Sequence, residues 1–396
     1  MSDAAGLADH HAGPLARAEG LAPLIEASAA HGERERRLAP PLVALLHEAG
    51  LYRLLLPRAL DGAELDPVSF VRVMEAVSRA DASTAWCLCQ AAGCTMITGY
   101  VAPEVAREIF GDRRAVLAWG PSPDGRAVPV DGGYRVSGTF AFASGCRQAT
   151  WLGGQCAIRE ADGTPRRRSD GSAEARWMLF PAERATILDT WSVIGLRATG
   201  SDSFTVSDLF VPQGHSAARD DPTERRLGGP LYCFPTTSLY ASGFAGVALG
   251  NARSTLDAFV RLAQAKRPRG LTQPLRESAV VQSELARTEA RVGASRALLL
   301  TSLDEVWRGV VETGQLELAQ RVRIRLAATH AITEATAAVD WAYHAAGATA
   351  IFESQAFERR FRDAHTVAQQ LQGRQTHFET VGRVLLGLEP DTTTFI

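Results

Sequence analysis

Two short stretches hold the residues best suited to chemistry. Phe142-Ala143-Ser144-Gly145 closes a strand-like run, and a serine followed by glycine there brings a hydroxyl and bare backbone close to a flat ligand. Gly195-Leu196-Arg197-Ala198-Thr199-Gly200-Ser201 combines two glycines, two hydroxyls and an arginine, a mixture suited to a tight loop that cradles an anionic or planar group. A third residue, Trp86, stands in the uncharged run Ala85 to Ile97. Each has a plainer reading: a Ser-Gly turn, a solvated arginine and a core tryptophan.

The commonest readable chemistries are missing. No P-loop, GxGxxG, HExxH or GxSxG motif occurs. The six cysteines (Cys87, Cys89, Cys94, Cys146, Cys156, Cys233) form no CxxC pair and no metal-ligand spacing, so we read them as free and mostly buried, with no metal site. Forty-two basic residues, all arginine but Lys266, balance 44 acidic ones and leave no electrostatic footprint for nucleic acid or an anionic membrane. No stretch reaches the roughly 18 apolar residues of a membrane span. Asp3, Asp9, His10 and His11 at the N-terminus are unlike a secretory signal, which points to a cytoplasmic protein.

The elements that must position these residues fall into three blocks. Helical periodicity runs through 1–114: Leu21, Leu24 and Ile25; Leu42, Leu45 and Leu46; then Phe70, Val73, Met74 and Val77 after the Asp66-Pro67 start signal. Asp81 or Ser83 caps the next, wholly apolar helix, which should sit deep in the fold. Between 115 and 228 the period becomes that of strands, with Gly132-Gly133 marking a hairpin, and predicts a small β-barrel or sandwich. From 229 to 396 the helical period returns in long runs. Val281, Leu285, Thr288, Val292, Ser295, Leu299, Leu303 and Val306 form a near-heptad stripe, Leu316 to Ala346 a second helix and Phe357 to Leu371 a third, together a bundle. Gly243, Gly246 and Gly250 suit close helix packing, and His330, Ala337, Trp341 and His344 share one stripe.

Four segments, Leu56 to Trp86, Gly132 to Trp151, Trp191 to Pro212 and Glu358 to Gly382 with its Arg-Arg-Phe-Arg-Asp core, resemble the acyl-CoA dehydrogenase superfamily. Within it they resemble the flavin-dependent monooxygenase branch that includes two-component aromatic hydroxylases. The resemblance implies an α+β, mostly α fold: an N-terminal helical domain, a central small β-barrel and a C-terminal four-helix bundle that packs into homodimers or homotetramers. It places Ser144, with Phe142 and Gly145, beside the reactive edge of the flavin, where the hydroxyl can stabilise the reduced or peroxidised ring. Trp86 then lies against the flavin pocket, Arg197, Thr199, Gly200 and Ser201 frame the flavin and the mouth of the substrate site, and Arg269 and Gln282, with Arg267, reach flavin phosphate or ribose from a neighbouring subunit.

The sequence departs from that pattern at its bases. Glu353 and Glu358 do not stand in the context of the dehydrogenases' catalytic glutamate. Where the monooxygenases carry two histidines, this chain has Cys94 and Gln370, and a glutamine amide only hydrogen-bonds where imidazole accepts a proton. His365 and His377 are the candidate substitutes, although an ideal helix would turn His365 about 140° away from position 370. The resulting expectation is a monooxygenase that takes reduced FMN or FADH2 from a separate reductase, uses O2, and hydroxylates an apolar aromatic or polycyclic molecule lined by Cys94, His365 and Gln370. A reductase is required because no nicotinamide-binding fingerprint is present. Two alternatives stand beside it: a flavin dehydrogenase or oxidase, and a redox-neutral member that binds or rearranges a metabolite.

Overall fold

The computed structural model describes residues 13–169, 171–270 and 272–392; the N-terminal residues Asp3 to His11 lie outside them. Helices α1 (Pro14–Glu35), α2 (Pro40–Glu48), α3 (Pro67–Ala80), α4 (Ala82–Thr95) and α5 (Pro103–Phe110) come first. Asp66 caps α3 by accepting the Ser69 N–H at 2.9 Å, and Asp81 caps α4 through the Thr84 N–H and hydroxyl at 2.8 and 2.7 Å. With nothing charged on any face, α4 is buried at every position but Gln90.

Eight strands follow: β1 (Leu117–Gly120), β2 (Arg126–Val130), β3 (Gly133–Phe140), β4 (Trp151–Ile158), β5 (Ala175–Pro181), β6 (Thr186–Leu188), β7 (Ser203–Pro212) and β8 (Ser216–Ala217). They form one curled sheet in the order β6-β7-β3-β2-β4-β5-β8, with β1 alongside β4 in parallel. Among the described residues the hydrogen-bonded path does not close; the inner faces instead share a core of Val136, Phe140, Leu152, Met178, Phe180 and Phe204, in which the Phe180 and Phe204 rings meet edge to face across β5 and β7. The decisive pairing for function is β3 against β7, antiparallel from Gly133↔Pro212 to Phe140↔Phe204. At that end β3 leaves the sheet as β7 enters it, so the stretches after Phe140 and before Ser203 are adjacent.

Helices α6 (Thr236–Ala265), α7 (Ala279–Thr313), α8 (Leu318–Ala346), α9 (Phe357–Gln369) and α10 (Thr376–Leu385) complete the chain. The α7 stripe is buried from Thr288 to Val310. Helix α6 lies in the middle, packed on α3 as well as on α8 and α9. A Cβ at Gly243 would meet the Cys89 Sγ at 2.5 Å, and one at Gly250 the Glu75 carbonyl at 2.3 Å, which is why the α6 glycines recur. The N-terminal and C-terminal helices consequently share one apolar core, running from Leu21 and Phe70 through Phe244 to Leu299 and Val339. Of the His330 stripe, Ala337 and His344 are exposed.

Candidate flavin-binding site

At the shared end of β3 and β7 the ladder continues beyond the strands: the Ala143 N–H donates to the Asp202 carbonyl at 3.1 Å and the Gly145 N–H to the Thr199 carbonyl at 2.9 Å. Phe142 (φ 55°) and Gly145 (φ 78°) both take left-handed backbone around Ser144. That turn aims the Ser144 hydroxyl inward, where the Trp86 Nε1–H donates to it at 3.0 Å and the Ser201 hydroxyl lies at 2.7 Å. Ser201 in turn is 2.7 Å from the Thr199 hydroxyl, which donates to the Leu196 carbonyl at 2.8 Å.

Donor counting orients this relay. Indole only donates and a carbonyl only accepts. Thr199 spends its one proton on Leu196, so it accepts from Ser201; Ser201 has then spent its own, so it accepts from Ser144. The Ser144 oxygen already accepts one bond from Trp86 and keeps one lone pair free. Towards a ligand, Ser144 is an acceptor.

The loop carrying Thr199 and Ser201 is clamped to two helices. Leu196 (φ 52°) is left-handed, and its N–H donates at 2.6 Å to Asp363 Oδ1 on α9. A Cβ at Gly195 would lie 2.2 Å from the Arg362 carbonyl, so only glycine allows this approach. Arg362 donates to the Ile194 carbonyl and forms ion pairs with Glu33 of α1 at 2.6 Å and Glu358 at 2.7 Å. On the sheet side, buried Asp202 accepts from the Thr190 and Trp191 N–H groups, both at 2.9 Å, and pairs with Arg147 at 2.5 Å. Complete burial, with Asp81 and Glu33 nearby, pushes the Asp363 carboxyl up to about 7, although the Leu196 N–H and Arg359 pull it down.

Beyond Trp86 an aromatic row extends along α4 and α6. Trp86 stacks on Phe244 at 3.9 Å and Phe244 on Tyr240 at 5.5 Å. The Tyr240 hydroxyl donates to the Gln90 carbonyl at 3.1 Å and lies 3.6 Å from the Cys94 Sγ. Burial pushes the Cys94 thiol up to about 12, so it is neutral at physiological pH and holds no base in the place of the missing histidine.

Ser144, Trp86, Thr199, Gly200, Ser201 and Gly145 thus come together in one place. Phe142 stands 66% exposed at the rim, edge-on to Trp191. Arg197 lies on the same loop, its Nε enclosed without a hydrogen bond and 3.8 Å from Glu33. Arg269 and Gln282 are exposed, and the Gln282 amide donates to the Arg276 carbonyl at 2.8 Å. His365 pairs with Asp340 at 2.8 Å, and His377 contacts the Leu371 carbonyl at 2.8 Å. The ideal-helix relation between His365 and Gln370 fails because α9 stops at Gln369: Gln370 is extended (φ −70°, ψ 154°), and its side chain accepts the Gln372 N–H at 2.7 Å. Glu358 is tied to Arg362 and Glu353 is exposed, so neither is a free carboxylate base. The spacing of the sequence did not reveal the roles of Asp363, Asp202, Glu33 and Tyr240.

The free acceptor of Ser144 suits a reduced flavin, whose N5–H needs one. Comparison with known proteins agrees with the fold. An indole-3-acetate monooxygenase of Acinetobacter baumannii is 27% identical over 92% of this chain and 91% of that protein. The flavin-dependent monooxygenase oxygenase subunit HsaA of Rhodococcus jostii is 27% identical over 89% and 92%. Among solved structures, XiaF from a Streptomyces species, in complex with FADH2 and glycerol, superposes with a TM-score of 0.87 at 27% identity over 96% of both chains. Family models for the acyl-CoA dehydrogenase N-terminal domain match residues 18–110 and those for its C-terminal domain residues 242–373, and with the sheet between them the chain belongs to the acyl-CoA dehydrogenase family.

Proposed function

We propose that this chain is the oxygenase component of a two-component flavin monooxygenase that hydroxylates an apolar aromatic or polycyclic small molecule. The observation that carries the reading is the oriented relay from Leu196 through Thr199 and Ser201 to Ser144, which ends in an acceptor beneath Trp86. The indole-3-acetate monooxygenase and the oxygenase subunit HsaA, each similar over about nine tenths of the chain, support it. Ser144, Gly145, Phe142, Trp86 and the 197–201 loop would hold the flavin ring; Arg197 supplies a cation at its edge. Arg269 and Gln282, both exposed, are taken to reach the flavin of a neighbouring subunit in a homodimer or homotetramer.

Bound reduced FMN or FADH2 supplies two electrons and two protons, so that one atom of O2 enters the substrate and the other leaves as water. The chain's own contribution is positional. Trp86 and Ser201 fix the Ser144 hydroxyl on both sides, leaving its acceptor pair in one direction, and Phe244 and Tyr240 give the substrate ring an apolar wall. Because an oxygenase subunit receives its flavin already reduced, a separate NAD(P)H:flavin reductase is the partner, and the cytoplasm, where NAD(P)H is plentiful, is the working compartment. No helix among the described residues is long and apolar enough to cross a membrane.

The test is turnover with a generic flavin reductase, NADH, FMN or FAD, and a panel of aromatic compounds under 18O2, with products read by mass spectrometry. One 18O atom per product molecule is expected. Stoichiometric hydrogen peroxide with every compound and no labelled product sinks the reading, as does reduction of bound flavin by an aromatic compound without NADH.

A further inference from the structure

We propose that Arg219 binds an anionic substituent, a carboxylate, of the aromatic substrate and so selects aromatic acids; this substrate class rests on the monooxygenase reading above. Arg219 lies in the segment between β8 and α6, its side chain only 12% exposed. The guanidinium carbon sits 4.9 Å from the ring centre of Trp119 and 4.6 Å from that of Trp177, and the two indoles are themselves 4.3 Å apart. Nε donates to Asp220 at 3.0 Å. The Nη1 and Nη2 groups hydrogen-bond to nothing among the described residues, and neither is fully enclosed. An arginine held flat by two aromatic faces, with its paired terminal nitrogens unspent, presents the fork that a carboxylate fits in bidentate fashion.

Its position relative to the flavin site completes the argument. The Arg219 charge acts on both the buried Cys94 thiol and the buried Tyr240 hydroxyl, at the end of the aromatic row that begins under Ser144. From Trp86 to Cys94 is eight residues of α4, on the order of 12 Å at 1.5 Å per residue. A ring bearing a short acid arm, with a hydrogen bond at its far end, spans about that length. Nearby charge favours an anion as well. Asp220 is already committed to the start of α6, where it accepts from the Thr236 N–H and hydroxyl at 3.0 and 3.1 Å, while Arg321 and Arg225 share its neighbourhood with Arg219. Glu224, which accepts the Ala218 N–H at 3.0 Å, is likewise committed, to Arg176 at 2.5 Å. A neutral substrate would forgo the bidentate pairing with the two terminal nitrogens of Arg219, which gives selectivity as well as affinity.

The experiment is calorimetric titration of the full chain, without flavin or oxygen, using phenylacetate and naphthalene-2-carboxylate and their uncharged amides as probes. The wild type is expected to bind each acid at least tenfold more tightly than its amide. Arg219→Met should erase that preference while leaving amide affinity within about twofold, and Arg219→Lys should restore part of it. Matching circular dichroism spectra and melting curves establish that both variants fold. Equal affinity for acid and amide, no binding of either acid by the wild type, or an undiminished preference in Arg219→Met overturns the proposal. So does a selective loss of FMN affinity in Arg219→Met, which would make flavin phosphate the anion. The two readings fail separately: acids that bind through Arg219 but are never hydroxylated count against the monooxygenase alone, whereas hydroxylation of neutral aromatics without acid preference counts against Arg219 alone.

Discussion

Replacing Asp363 by asparagine should flatten one component of the pH dependence of stability. In the folded chain burial holds this carboxyl at about 7, against an ordinary value of 3.8. A raised carboxyl pKa means that the folded state binds a proton which the unfolded state has released, so stability must fall as pH rises through the window from about 4 to 7. Integrating the two titrations, this group stabilises the fold by about 2.7 kcal/mol at pH 5 relative to its ionised state and by about 0.1 kcal/mol at pH 8. The asparagine side chain would mimic the protonated acid: its amide oxygen still accepts the Leu196 N–H, and it carries no charge to desolvate. His47 and His377, whose pKa values burial lowers below 6.5, act in the opposite sense, since each gains stability as pH rises. The quantity to read is therefore the difference between the wild type and Asp363→Asn, not either slope alone. At roughly 0.8 kcal/mol per degree for a chain of this length, the variant's melting temperature should move about 3 °C upward relative to the wild type between pH 5 and pH 8. Scanning calorimetry at the two pH values measures this. A constant offset at both values would refute the argument, for it would mean that Asp363 is already ionised at pH 5 and that the Leu196 N–H outweighs burial.

Ser144→Ala removes the acceptor at the end of the relay; reduced FMN should bind about tenfold more weakly, the worth of one hydrogen bond, with oxidised FMN unchanged, as anaerobic fluorescence titration would show. Gly195→Ala forces a methyl to within 2.2 Å of the Arg362 carbonyl and should cost about 1–3 kcal/mol, read as a melting temperature about 1–4 °C lower. Arg362→Met strands Glu33 and Glu358 in a largely buried pocket and should cost about 3 kcal/mol, by urea denaturation. With its thiol held at about 12, Cys94 has no titration to contribute, so Cys94→Ser should leave the pH–rate profile of hydroxylation between pH 6 and 9 unchanged.

What sequence spacing conveys about this site is local. Ser144-Gly145 and the Gly195 to Ser201 loop stand out by residue type, but that they touch depends on the antiparallel register Phe140↔Phe204, which no local pattern specifies. The strands β1 and β8 pass unseen because Leu117–Gly120 is buried on both faces and Ser216–Ala217 is two residues long, so neither alternates. Arg360, Asp363, Ala364 and Val367 follow the spacing of a buried helical face, yet two of the four are charged, and charged residues ordinarily face water. The end of α9 is equally hidden: no proline or glycine interrupts Phe357 to Gln370, and Gly373 is the first stop signal. The long, uniformly apolar or strictly periodic helices α4 and α7 are legible for the converse reason, since their pattern requires no partner to be interpreted.

The clamp and the relay meet at Leu196 and form one path of contacts. Asp363 Oδ1 accepts the Leu196 N–H; the Leu196 carbonyl accepts the Thr199 hydroxyl; Thr199 leads through Ser201 to Ser144 and Trp86. Every member except Asp363 is neutral across the physiological range, and Cys94 and Tyr240 beside the aromatic row are held protonated by burial. Asp363, at about 7, is therefore the one group on the path whose charge changes near neutrality. An ionised carboxylate adds negative potential across the loop that it clamps, which favours a hydrogen-bond donor such as a flavin N5–H at the free lone pair of Ser144. Ionisation of Asp363 should thus strengthen Ser144 as an acceptor while weakening the fold. The affinity of the wild type for reduced FMN should rise between pH 6 and 8 and that of Asp363→Asn should stay level. Parallel curves for the two proteins would show that the Asp363 charge does not reach Ser144 and that α9 serves only to hold the loop in place.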